Sequence, residues 1–188
     1  MGAESARLLE WVRASPWLMQ ALQFARELGL RDWAIGAGSL RNLVWDALHG
    51  HPLDRLPADV DLVFFDSDEP RSDAELQALL NQRCPGLPWE VTNQARVHEW
   101  FEVEFGHAVA PLHSLEEAVA SWPEFCTALA VRLEPDDALK LIAPLGLDDL
   151  FACRVRRNPR RVSVDTYRKR CASKRYAERW PKVSVLPP

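Results

Sequence analysis

Apolar positions in the first fifty residues follow helical spacing and then contract into a short run closed by glycines. In "SPWLMQALQFARELG", Leu18, Leu22 and Ala25 recur at intervals of four and three, the spacing of one helical face. Ser15 stands where an N-cap belongs, Pro16 falls in the first turn, and Gly29 marks the stop. A shorter amphipathic helix is expected around Ser5 to Val12. "DWAIGAG" reads as a strand ending in glycines, and "SLRNLVWDALHG" as a helix capped by Ser39 and stopped near Gly50. Beyond the proline-bearing loop "HPLDRLPA", alternation from Asp59 to Phe65 predicts the next strand.

Downstream, Ser72 and Glu75 have capping-box spacing ahead of "AELQALLNQRCPG", and Ser114 and Glu117 repeat it in "SLEEAVASWP". "PWEVTN" reads as a short strand and "QARVHEWF" as a helix. "CTALAVRLE" and "ALKLIAP" suggest a strand pair about the turn "PDD". "LDDLFACRV" and "DTYRKRCASKRYAERWP" suggest short helices separated at Asn158 and Pro159. Strands and helices alternate early and mix later, so the expected class is α+β, or α/β, with a small mixed sheet and helices mainly on one face. Residues 1–125 are expected to form the core with its N-terminal helices, and residues 126–188 the further strands and a basic helical part packed on it.

The chain has 188 residues, 47% hydrophobic and 27% charged, a globular balance that argues against disorder. No apolar stretch approaches the roughly 20 residues of a membrane span. The amphipathic start lacks the apolar centre of a signal peptide, so a cytoplasmic protein without membrane contact is expected. Cys84, Cys126, Cys153 and Cys171 stand singly, which suggests reduced structural thiols and no zinc site. The net charge of −4 conceals an asymmetry: from Phe151 onward there are 12 Lys and Arg against 2 Asp and Glu. Such a tail has three readings: supplying cations to a bound nucleotide, contacting a nucleic acid, or pairing with the acidic body.

The chemistry concentrates around "ADVDLVFFD". Side chains alternate along a strand, so Asp59 and Asp61 share a face about 6.6 Å apart, beside the apolar run that continues it. Two adjacent carboxylates on the way into a core are costly unless paired or bound to a cation. Alone, the pair also fits a solvated strand start. Upstream, "GAGSLRN" places Gly36, Gly38 and Ser39 between a strand and a helix N-terminus. That arrangement suits phosphate, or simply a tight turn, and its spacing fits neither a P-loop nor a dinucleotide fingerprint. Downstream, "WEVTN" sets Glu90 between two apolar neighbours, where it would complete a three-carboxylate, cation-binding cluster.

Taken together, "GAGS", "DVD" and "WEV" resemble the DNA polymerase β-like nucleotidyltransferase superfamily. "WAIGAGSLRNLVWDALHG", "DVDLVFFD", "WEVTNQARVH", "CTALAVRL", "APLGLDDLF" and "YRKRCASKRYAERWP" are similar to one small bacterial nucleotidyltransferase family within it, from Trp33 almost to the C-terminus. The resemblance implies transfer of a nucleoside monophosphate from an NTP such as ATP to a hydroxyl acceptor, with release of pyrophosphate. It implies two Mg²⁺ ions, or Mn²⁺, bound by Asp59, Asp61 and Glu90, with Gly36, Gly38, Ser39 and Arg41 about the nucleotide. Asn42, Asn93, Gln94, Arg96 and His98 are secondary candidates for substrate contact. The acceptor, whether small molecule, protein or RNA, stays open, as does a nucleic-acid role for the basic tail. Two other readings compete: a catalytically idle nucleotide-binding module of the same fold, and a metal-dependent glycosyltransferase, which also employs Asp-x-Asp.

Overall fold

A computed structural model of the chain describes residues 2–188. Helices α1 (Ala3–Ala14) and α2 (Pro16–Glu27) lead into β1 (Trp33–Gly36), which runs directly into α3 (Ala37–Leu48). Strand β2 (Val60–Phe64), helix α4 (Asp73–Arg83) and β3 (Trp89–Asn93) follow. A 3₁₀ turn (Gln94–Arg96) continues into α5 (Val97–Phe105), and α6 (Leu115–Ala120) and a second 3₁₀ turn (Phe125–Thr127) precede β4 (Ala130–Leu133) and β5 (Leu139–Ile142). The chain closes with α7 (Asp148–Phe151), β6 (Arg154–Val155), α8 (Val164–Lys174), α9 (Tyr176–Arg179) and β7 (Ser184–Val185).

The main sheet has the order β3-β2-β1-β4-β5, and β6 pairs with β7 in a small ribbon. Only β2 and β3 run parallel in the main sheet; β1 pairs antiparallel with β2 and β4, and β4 with β5. The parallel pair requires a crossover, which α4 supplies. The mixed α+β architecture agrees with the expectation from sequence.

The two sheet faces are covered unequally. Ile35, Val60, Leu62, Phe64, Val91 and Val131 join the large core beneath α1, α2 and α3. On the opposite face Ala34, Val63, Ala130 and Ile142 meet Leu115 and Val119 of α6, with Phe65 and Trp122 packed at the side. The thinly covered face leaves room for a cleft. Trp33, Trp45 and Trp89 are core residues.

Local signals map onto this frame with small shifts. Ser72 and Glu75 form the reciprocal capping box. Ser114 accepts from the Glu117 amide, but the Glu117 carboxylate turns instead to the His113 amide at 2.9 Å. Ser15 occupies the N-cap position of α2, yet its hydroxyl donates to the Leu53 carbonyl at 2.9 Å. Helix α3 begins two residues before the expected cap at Ser39, with Gly36 in the cap position. All four cysteines are unpaired.

Candidate active site

The strand register gathers the candidate residues. Gly36 stands opposite Asp61 across β1 and β2, and Asp61 opposite Glu90 across β2 and β3. Side-chain alternation then puts Asp61 and Val63 on the same face as Glu90 and Thr92, and all four line one cleft of about 420 Å³. Val60, Leu62 and Phe64 point the other way and are fully buried. Asp59 lies just before β2 and also lines the cleft.

The turn from β1 to α3 closes the end of this cleft. Gly36 is a packing requirement: a Cβ there would lie 2.6 Å from the Leu129 carbonyl oxygen and 2.8 Å from the Ala130 Cβ. Ala37 follows in the left-handed region at φ 52°, a conformation that a non-glycine residue adopts only when its surroundings hold it there. Its amide donates to the Leu129 carbonyl at 3.0 Å. Ser39 Oγ donates to the Gly36 carbonyl at 2.6 Å, and Ser39 is fully buried. The Ser39 hydroxyl therefore braces the turn from within and faces away from the cleft. Gly38 is the residue that meets the acids: a Cβ on it would stand 3.7 Å from Asp59 Oδ1 and 3.9 Å from Asp61 Oδ2.

Burial, and after it the charges of Asp59 and Glu90, push the Asp61 carboxyl up to about 7, against the opposing pull of Lys174 and Arg41. Burial, the largest cause, and the two neighbouring acids both disfavour the ionised form of Asp61, and the two cations offset this only in part. Glu90 is exposed, in contrast to its two buried strand neighbours. Among the described residues no three Asp, Glu, His or Cys side chains are drawn into a ready metal-holding group. Asp59, Asp61 and Glu90 nevertheless line the same cleft.

Two cations face the acids from different helices. Arg41 of α3 is 3% exposed, with its guanidinium 5.3 Å from the Trp45 ring and 4.9 Å from the Tyr176 ring. Its Nη2 donates to Asn42 Oδ1 at 2.9 Å, which gives Asn42 the task of orienting Arg41. The Arg41 Nε is buried without a partner. Thr166, Arg170 and Lys174, spaced by one helical turn on α8, line the opposite wall. Arg170 is held by the fully buried Glu124 at 2.8 Å, whereas Lys174 has no carboxylate or hydrogen-bond partner among the described residues and faces the cleft.

The remaining candidates separate. Gln94 lines the cleft. Asn93 is a staple: its amide nitrogen donates to the Asp66 carbonyl at 2.7 Å and its Oδ1 accepts from the Ala95 amide at 3.1 Å. Arg96 donates to the carbonyls of Ser67 and Glu69 at 3.2 and 3.3 Å, clamping the loop after β2. His98 lies outside the cleft wall, with its Nδ1 buried and unpartnered. Asp149 is a structural ion-pair hub that holds Arg154 and Arg156 at 3.0 and 2.7 Å. Sequence reading overlooked Trp100, Phe101 and Phe105 of α5, which form the outer wall. Their intervals of one, four and five residues were visible, but nothing in them distinguished a cleft wall from core.

Known proteins give the wider context. The profile of a family described as "Nucleotidyltransferase" matches residues 23–185. A structure solved by NMR and described as a CCA-adding enzyme head domain is 30% identical, with 96% of this chain covering 95% of that one at a TM-score of 0.83. The Thermotoga maritima CCA-adding enzyme complexed with tRNA (17% identity, TM-score 0.58) and a CCA-adding enzyme in complex with CTP (15%, TM-score 0.56) share the fold. Each of these two is matched over 97% of this chain, which spans only 42% and 43% of their length. No curated protein matches the sequence.

Proposed function

Since the chain belongs to the nucleotidyltransferase family whose profile covers residues 23–185, we propose that it transfers a nucleoside monophosphate from an NTP to a hydroxyl acceptor. In this reaction the acceptor oxygen bonds to the α-phosphorus, the α–β phosphoanhydride bond breaks, pyrophosphate leaves and the hydroxyl proton is lost.

The observation that carries this reading is the register that aligns Gly36, Asp61 and Glu90 on three neighbouring strands, with Asp61 raised to about 7 by burial and its acid neighbours. An all-oxygen donor set beside a glycine turn fits a hard divalent cation that shares its ligands with phosphate. Asp59, Asp61 and Glu90 would hold it. Magnesium or manganese bound there would supply charge neutralisation at the triphosphate and a more acidic acceptor hydroxyl.

The chain's own groups do the rest. Gly38 presents a bare backbone above the acid pair, so phosphate oxygens can approach closely. Arg41, held between Trp45 and Tyr176, offers a preoriented charge-assisted donor, and Lys174 adds a mobile one from across the cleft. Both cations then face the charge that builds on the pyrophosphate leaving group, and positioning of this kind dominates phosphoryl chemistry.

Relatives described with CTP and tRNA support an NTP donor and keep a nucleic-acid acceptor in view. The tail speaks less for it. Arg154, Arg156, Arg160, Arg168, Arg170, Arg175 and Arg179 are paired with carboxylates of this chain. Arg157, Arg161 and Lys182 donate to backbone carbonyls. Of the three roles the tail allowed, pairing with the acidic body engages Arg154, Arg156, Arg160, Arg170 and Arg179, Arg168 and Arg175 pair within the tail itself, and Lys174 supports the nucleotide role.

The test is pyrophosphate release from NTP in the presence of Mg²⁺ with cell extract as the acceptor pool. The wild type is expected to release pyrophosphate, EDTA to stop it and Asp61→Ala to abolish it. Release by Asp61→Ala at the wild-type rate would reject the assignment.

A further inference from the structure

Helix α5 exposes more aromatic surface than an ordinary surface helix has reason to. Trp100 and Phe105 are 42% and 44% exposed. Phe101 packs between them, its ring centroid 6.3 Å from Trp100 and 4.4 Å from Phe105, with His107 edge-on at 5.4 Å. The Arg161 guanidinium lies 5.6 Å from the Phe101 ring. These rings line the same cleft as Asp59, Asp61 and Glu90. The helix follows β3, the strand that carries Glu90, after a three-residue turn, and extends over about 12 Å at 1.5 Å per residue.

We infer that the α5 face of Trp100, Phe101 and Phe105 is a stacking platform for the nucleobase of the NTP. The inference rests on the proposed nucleotidyl transfer and assigns the part of the donor that the acids and cations leave unrecognised. One cleft contains acids, two facing cations and an aromatic wall; an NTP with its metal contributes a cation, a polyanion and a planar ring. The acceptor is required to bring only a hydroxyl. Stacking tolerates every base, because each has a π face, and larger purine rings cover more of the wall than pyrimidines.

Calorimetric titration of the full chain in Mg²⁺ buffer, with ATP and with inorganic tripolyphosphate, separates the ring from the phosphates. ATP is expected to bind at least about fivefold more tightly than tripolyphosphate. Trp100→Ala combined with Phe105→Ala should erase most of that advantage and leave tripolyphosphate affinity unchanged. Val103, 91% exposed on the same helix and absent from the cleft wall, provides the control; Val103→Ala should alter neither affinity. Both aromatic side chains are substantially exposed, so their truncation is compatible with folding, checked by an unchanged Tm. Equal affinities for ATP and tripolyphosphate in the wild type, or an unchanged ratio in the double variant, would overturn the platform while leaving the phosphate and metal site standing. Failure of both ligands to bind would overturn the platform together with the nucleotidyl reading beneath it.

Discussion

At the scale of single residues, Asp61 has two separable effects. Its carboxyl titrates at about 7 in the folded protein against 3.8 for an ordinary aspartate. A raised carboxylate pKa means that ionisation opposes folding: the penalty grows from about pH 4 to pH 7 and is complete above it. Asp61→Asn should therefore raise Tm by a few degrees at pH 8, at about 2–4 °C per kcal/mol for a chain of this size, and leave Tm nearly unchanged at pH 4. Thermal unfolding at both pH values checks this. The two glycines before α3 should divide similarly. Gly36→Ala drives a methyl into the Leu129 carbonyl and the Ala130 side chain and should lower Tm sharply. Gly38→Ala meets its neighbours no closer than 3.6 Å, so it should fold normally and lose nucleotide affinity, read by calorimetry. The glycine motif was legible in the sequence, but the division of labour within it was not: which glycine serves packing and which the site depends on β4, nearly a hundred residues away.

At the scale of elements, the acid triad was the most legible part. Alternation along a strand is a local property, and it put Asp59 with Asp61 on one face and Glu90 opposite Trp89 and Val91; that the two sets share a face follows from the pairing of Asp61 with Glu90. Their parallel register, by contrast, is fixed by the α4 crossover. Asn93 and Arg96 read as site residues from polarity alone, because nothing local reveals that their side chains reach the loop after β2. Helix α8 makes the same point in reverse. Its charge was plain, but only folding shows that Arg170 is committed to Glu124 while Lys174 is left facing the acids. Lys174→Ala should weaken MgATP about tenfold by calorimetry, the cost of one charge-assisted contact. Arg170→Ala strands a fully buried carboxylate and should cost about 3 kcal/mol of stability, read as a lowered denaturation midpoint.

At the scale of the whole molecule, the acidic body and the basic tail are held together by more than opposite charge. Tyr167, Tyr176, Trp180 and Val183 from the tail belong to the same core cluster as Leu18, Leu40 and Trp45. Asp46 of α3 accepts Arg179 at 3.2 Å and the Trp180 indole at 2.8 Å. A chain ending at residue 150 should consequently fail to fold, seen as loss of a cooperative thermal transition. The tail also holds the cleft in shape, since Tyr176 packs on Arg41 and α8 forms the wall opposite the acids. The charge asymmetry was legible in the sequence, and pairing with the acidic body was one of its readings; which arginines pair there was not, since Glu117, Glu124 and Asp46 lie far along the chain from Arg160, Arg170 and Arg179.

The central claim is that this cleft moves a nucleoside monophosphate. The most direct measurement follows two samples of the same NTP, one labelled at the α-phosphorus and one at the γ-phosphorus, with Mg²⁺ and cell extract. The account predicts that α-label appears in an acceptor product, that γ-label appears in pyrophosphate, and that Asp61→Ala produces neither. Label from the γ-phosphorus in the acceptor, or no acceptor labelling by the wild-type protein, would contradict it.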